Sequence, residues 1–138
     1  MFKLEEAIKT IKGLGLEVGE YFIYMGGSML IHDLREETHD LDVGLTTEAF
    51  ERMMKRADAE NGGWGKAWKE RRGTIETEFG EVEFFDKGEK LDEGIITIEK
   101  GIACQKLEDI LKMKEYLNRE KDQKDIIKLK ERLNKNIG

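Results

Sequence analysis

Asp40 and Asp42 stand one apolar residue apart in the run Asp40-Leu41-Asp42-Val43-Gly44-Leu45. That alternation predicts a β-strand, in which successive side chains take opposite faces. The two aspartates then point the same way, and Leu41 and Val43 point into a core. Carboxylates held a few ångströms apart on a rigid strand repel each other unless a cation lies between them. Hard oxygen donors of this kind suit Mg²⁺ or Mn²⁺. Upstream, residues 21–25 (Tyr21, Phe22, Ile23, Tyr24, Met25) have the aromatic and β-branched content of a buried strand. The run breaks at Gly26-Gly27; Ser28 then opens a short apolar helix over 29–34, and a polar loop fills 35–39. Glycines let a backbone approach phosphate oxygens closely. A helix start offers unpaired N–H groups and a positive dipole end, and Ser28 Oγ can add a hydrogen bond.

Met25-Gly26-Gly27-Ser28, a spacer over 29–39, and then Asp40-Leu41-Asp42 together resemble the active-site signature of the polymerase-beta-like nucleotidyltransferase superfamily. The resemblance implies transfer of a nucleoside monophosphate from an NTP to a hydroxyl, with release of pyrophosphate and Mg²⁺ or Mn²⁺ as cofactor. It also implies a third acid on a neighbouring strand. Glu81, Glu83 and Asp86 are the candidates; Glu83, between Val82 and Phe84, has the apolar-acid-apolar setting the family calls for. Many relatives carry Asp there, so Glu is a departure. Asp40, Asp42 and Glu83 are thus expected as catalytic residues and metal ligands, and Gly26, Gly27 and Ser28 as nucleotide contacts.

Leu107, Ile110, Leu111 and Leu117 set an apolar helix face, and Lys114 falls on it. A lysine facing inward needs an anion. Asp122 and Asp125, on the following helix, are internal partners at suitable positions. Residues 107–126 are similar to the tail of toxin and abortive-infection nucleotidyltransferases. By that resemblance Lys114 contacts the triphosphate, with Asp122 and Asp125 orienting it. The plainer alternative is a Lys114–Asp122 ion pair that ties two helices together.

The remaining chain supplies the frame. Leu4, Ala7, Ile8, Ile11 and Leu14 follow helical spacing up to Gly13 and Gly15. Thr46 or Thr47 is placed to cap a helix with Ala49, Phe50, Met53, Met54 and Ala57 on one face. A glycine-rich loop with Trp64 follows, then strands over 67–71, 74–79, 81–86 and 95–99, and two helices from Lys106 that break near Asn118-Arg119. Trp64 is expected to fold onto the core. The order predicts an α+β (mixed α/β) fold, a mixed sheet flanked by helices. One domain over 1–138 would comprise a core over 1–104 and a helical tail over 105–138. His32 and His39 read as polar surface residues, Cys104 as buried and inert, and Lys66, Lys69, Arg71 and Arg72 as a solvated edge strand.

Of 138 residues 39% are charged and 38% hydrophobic, with a net charge of −6, which argues against broad affinity for nucleic acid. Long apolar windows are absent, which excludes a membrane span and a signal peptide, and the single cysteine excludes an intrachain disulfide. A cytoplasmic setting is the expectation. The resemblance leaves the acceptor open between tRNA, protein and small molecules. Two alternatives accompany it: a catalytically silent domain that binds nucleotide or protein, and the toxin of a pair, with an antitoxin as partner.

Overall fold

Leu41, Val43, Leu45, Val82 and Phe84 are each at most 1% exposed, and the strands that carry them form the middle of the sheet. The computed structural model describes residues 1–61 and 72–137. In chain order its elements are β1 (Phe2–Lys3), α1 (Leu4–Gly13), β2 (Tyr21–Tyr24), α2 (Gly26–Ile31), β3 (Glu37–Thr38), β4 (Asp40–Leu45) and α3 (Thr47–Asn61). Then come β5 (Arg72–Glu76), β6 (Glu81–Asp86), β7 (Ile96–Glu99), β8 (Ile102–Gln105), α4 (Leu107–Leu117) and α5 (Gln123–Ile137). Trp64, Lys66, Lys69, Arg71 and the strand expected over 67–71 lie outside the described residues, as does the side chain of Ala57.

Six strands run in the order β5-β6-β4-β2-β8-β7. β4 is antiparallel to β2 and parallel to β6, and β2 is parallel to β8, so the sheet is mixed. One face carries Ile23, Leu41, Val43, Val82 and Phe84, buried with Ala7 and Ile11 of α1 and with Ala49, Phe50, Met53 and Met54 of α3. That cluster is the main hydrophobic store of the fold. Thr46 Oγ1 accepts from the Ala49 N–H at 3.2 Å, which makes Thr46 the cap of α3. Met29, Leu107, Ile110 and Leu129 form a second cluster that seats α4 and α5. The arrangement is the α+β fold the sequence predicted.

Several boundaries differ from the expectation, each for a local reason. α2 begins at Gly26 rather than after Ser28, because the Met25 carbonyl already accepts from the Met29 N–H at 3.0 Å. β5 stops at Glu76 instead of 79, since Thr77 turns the chain: its Oγ1 donates to the Gly80 carbonyl and accepts from the Phe79 and Gly80 N–H groups. A Cβ at Gly80, where φ is +154°, would collide with the His39 carbonyl. β8 was not expected; Lys100 and Gly101, both at positive φ, turn β7 back into it. The short β1–β3 ladder was also unexpected. Leu117, assigned to the inner face of its helix, is 44% exposed. Among the described residues, no helix is long and apolar enough to cross a membrane.

Candidate functional site

Strand pairing lays the polar face of the sheet out in rows. Thr74, Glu83, Asp42 and Tyr24 are register partners across β5, β6, β4 and β2. One step along, the row is Arg72, Phe85, Gly44 and Phe22. In the other direction, Asp40 faces Glu81. Adjacent strands lie about 4.8 Å apart, so Asp42 and Glu83 stand side by side.

Asp42 is half-buried, and its pKa is pushed up to about 6. Burial is the largest cause; the charges of Glu83 and Asp40 and a hydrogen bond with Glu83 add to it, while Lys87 opposes. Tyr24, across the strand from Asp42, has its phenol pushed up by burial and then by the Asp42 and Glu83 charges. Glu83 has a loose counter-charge in Arg72, Nη2 to Oε1 at 4.0 Å. Asp40 is exposed at the strand start. Asp86 is engaged elsewhere, accepting from Thr47 Oγ1 at 2.7 Å and from the Gly88 N–H at 2.9 Å. Of the three acids on β6, Glu83 is therefore the register partner of Asp42.

Beside these acids the chain turns sharply. Met25 has φ 55° and ψ −127°, a strained conformation for a residue with a side chain. Gln105, 1% exposed, holds it there: its Oε1 accepts from the Met25 N–H at 2.9 Å. The Gln105 amide nitrogen donates to Asp109 and to Met113 Sδ, and its carbonyl accepts from Ser28 Oγ at 2.8 Å. Ser28 is fully buried, so its hydroxyl serves this lock and does not line the cavity beside the acids. Gly27 is buried too; a Cβ there would lie 2.8 Å from Ile23 Cγ2 and 3.3 Å from Leu41 Cδ2. Its lack of a side chain lets α2 sit on the sheet. Gly26 does line the cavity, and a Cβ there would meet Arg35 Nη1 at 2.6 Å.

That cavity has a volume of about 360 Å³ and brings Asp40, Asp42 and Gly26 together with Arg35, Lys114, Arg119 and Asp122. Lys114, 4% exposed, sits 3.2 Å from both Asp122 Oδ1 and Asp125 Oδ2. Arg119 Nε reaches Asp122 Oδ2 at 2.7 Å, and Arg35 Nη2 reaches Asp125 Oδ2 at 2.6 Å. Three cations thus share two carboxylates, which leaves one positive charge in excess facing the acids of β4. Asp122 is held well below the usual carboxylate range, chiefly by Arg119 and then by Lys114. Asp125 is lowered as well: burial works against this, and Arg35 and Lys114 outweigh it. The ion pair expected between Lys114 and Asp122 is present, and it lies at the cavity wall.

Arg35, Arg119 and Gln105 were not read from the sequence. Arg119 had a signal, three residues before Asp122 at a helix start. Arg35 had none, being 90 residues from its partner. His32, expected at the surface, is 8% exposed, with Nε2 3.1 Å from the Gln105 carbonyl and 3.5 Å from Cys104 Sγ; burial lowers its pKa. Cys104 is fully buried, and burial pushes its thiol up to about 11. His39 is exposed. Among the described residues no three His, Cys, Asp or Glu side chains converge as a ready metal cluster. The donor chemistry of the acids still suits a hard divalent cation: burial and then the Glu83 and Asp40 charges keep Asp42 protonated above the usual carboxylate range, and a cation among these oxygens would offset both.

No protein-family model matches the chain, and no curated protein matches it. Solved structures do. One is a Thermotoga maritima protein described as a candidate nucleotidyltransferase: TM-score 0.60 at 15% identity, over 97% of this chain and 96% of that one. Another is the lincosamide antibiotic adenylyltransferase LnuA with lincomycin bound: TM-score 0.62 at 17% identity, over 92% of this chain and 94% of that one. At such identity the likeness establishes the nucleotidyltransferase fold.

Proposed function

We propose that this protein is a metal-dependent nucleotidyltransferase that moves a nucleoside monophosphate from an NTP to a hydroxyl. The observation that supports it best is the single cavity in which Asp40 and Asp42 face Gly26, Lys114, Arg35 and Arg119. Asp40, Asp42 and Glu83 would hold Mg²⁺ or Mn²⁺, which when bound neutralises charge on the phosphates and lowers the pKa of the attacking hydroxyl. Lys114, Arg35 and Arg119 stabilise the β- and γ-phosphates as charge builds on the leaving pyrophosphate. The Gly26 turn lets backbone come close to the same oxygens. The acceptor oxygen bonds to the α-phosphorus as the bond to the bridging oxygen breaks, pyrophosphate leaves with the electron pair, and the Asp42–Glu83 pair takes the hydroxyl proton. The carboxylates of Asp122 and Asp125 keep the three cations aimed.

Titration calorimetry with ATP, CTP, GTP and UTP, with and without Mg²⁺, tests this reading alongside transfer of label from an α-labelled NTP. The expected result is metal-dependent binding that is lost in Asp42→Asn. Among the described residues, the lack of a ready three-ligand cluster favours a second reading, a domain that binds nucleotide without turnover. Binding with no label transfer would decide for it. The sequence resemblance supports a tRNA, protein or small-molecule acceptor and an antitoxin partner, and the single cysteine supports a cytoplasmic setting.

A further inference from the structure

Beyond Asp42 the polar face changes character. Phe22 and Tyr24 have ring centroids 5.4 Å apart, and Tyr24 and Phe85 are edge to face at 5.8 Å. Two cations stand over this ledge: Arg72 Cζ lies 5.7 Å from the Phe85 centroid, and Lys87 Nζ lies 5.6 Å from the Phe85 centroid and 4.7 Å from that of Tyr24. Lys87 is exposed, and its charge also acts on Asp42, whose pKa it lowers. Room for its stem comes from Gly44, where a Cβ would lie 3.0 Å from Lys87 Cγ and 2.6 Å from Phe22 Cε1. Cations resting on aromatic rings keep a charge available to an incoming anion at little cost in order.

The ledge and the cavity lie on opposite sides of Asp42 along β4. The cavity takes in Asp40 and Asp42 but neither Gly44 nor Phe85, whereas Arg72, Phe85 and Gly44 form the row beyond. In nucleotidyl transfer the attacking and leaving oxygens are in line. Pyrophosphate leaving towards Lys114 therefore puts the acceptor hydroxyl on the Glu83–Phe85 side. We propose that Arg72 and Lys87, over Phe85 and Tyr24, seat an anionic phosphate group of the acceptor, about two residues of strand, roughly 7 Å, from its reacting hydroxyl. That spacing is of the order of the reach from a ribose hydroxyl to the phosphate of the same nucleotide, and the ring ledge offers a surface for a flat base. The acceptor class is thus a phosphate-bearing hydroxyl compound, and polycationic hydroxyl compounds are excluded by the same two side chains.

The inference rests on the nucleotidyl-transfer reading, and the experiment separates the two. α-Labelled NTPs are offered with total tRNA, with 5′-mononucleotides, and with kanamycin and lincomycin, for the native protein, Lys87→Met and Lys87→Arg. NTP affinity is measured in parallel by calorimetry. Label on tRNA alone supports the seat and identifies a phosphodiester end; label on mononucleotides supports it and identifies a phosphate monoester. Lys87→Met should raise the acceptor KM about tenfold with NTP affinity unchanged, and Lys87→Arg should restore it. Label on the antibiotics, or a Lys87→Met protein with native acceptor KM, would each overturn the seat alone; NTP binding with no label on any acceptor would overturn the transfer reading as well. Failure to bind any NTP with metal would overturn the underlying reading and the seat with it.

Discussion

Gln105 and Met25 define the sharpest single test of how the turn beside the acids is held. Gln105→Leu fills similar space but removes the acceptor of the Met25 N–H, 2.9 Å away, and leaves that half-buried donor without this partner. It also strips a donor from Asp109, so the expected loss of stability is about 2–3 kcal/mol. The Gln105 carbonyl, which accepts from Ser28 and His32, is unaffected. Met25 is then free to leave its φ of 55°, a conformation that costs a residue with a side chain roughly 1–2 kcal/mol. Relaxation to negative φ swings Gly26 away from the cavity. NTP affinity should fall by roughly 5- to 30-fold, the equivalent of the strain released. Adding Met25→Gly removes the drive, because glycine takes the turn conformation without penalty. Calorimetry with NTP and Mg²⁺, with melting curves on each variant, should show the double variant recovering affinity to within about twofold while its stability remains low. A double variant that binds no better than Gln105→Leu would refute the argument, since the loss would then come from general loosening around Gln105.

Lys114→Met should cost about 3 kcal/mol in melting experiments, because it strands two carboxylates that keep only Arg119 and Arg35. NTP affinity should fall more than tenfold in the same protein, and Lys114→Met with Asp122→Asn should recover stability without affinity. Asp42→Asn should raise the melting temperature of metal-free protein at neutral pH by relieving repulsion with Glu83 and Asp40, and a lowered one would indicate a structural role. The pH dependence has a definite sign. The folded Asp42 pKa of about 6 lies above the ordinary 3.8, so its contribution is complete below pH 3.8 and lost as pH rises through 6, by no more than about 3 kcal/mol. Asp122 and Asp125, both lowered, work the other way and lose their contribution as pH falls into the acid range. Metal-free stability measured by denaturant titration should thus decline from pH 5 to pH 7, and Asp42→Asn should flatten that limb. Gly27→Ala should destabilise by about 1–3 kcal/mol, since its Cβ has no room against Ile23.

What the sequence conveyed, and what it withheld, divides by the range of the interactions. β4 and β6 were legible to the residue because strict alternation (Leu41, Val43; Val82, Phe84) leaves one buried face and one polar one. α4 was legible from its apolar spacing, and Lys114 from its misfit with that spacing. Ser28 and Gly27 were expected beside phosphate; the burial of the Ser28 hydroxyl in the Gln105 lock and the close fit of Gly27 against Ile23 and Leu41 are packing features that a local motif does not reveal. Arg35, Gln105 and His32 act through partners 90, 80 and 73 residues away, so only the folded chain brings their roles into view. β8 reads as four residues with no alternation, and it is a strand only because β2 and β7 flank it on both sides.

The parallel register of β4 and β6 has a bearing on insertions and deletions in the chain that joins them. Slippage of β6 by one residue would carry Glu83 to the packed face and Val82 to the polar one, an outcome that burial forbids. Slippage by two would bring Glu81 opposite Asp42 and preserve an acid there, because β6 repeats acid and apolar residues in pairs. A two-residue shift in that one direction therefore leaves this strand on a productive setting, whereas the opposite shift would bring Phe85 opposite Asp42. The tight seat of Gly80 against the His39 carbonyl selects one of those settings over its equivalent neighbour.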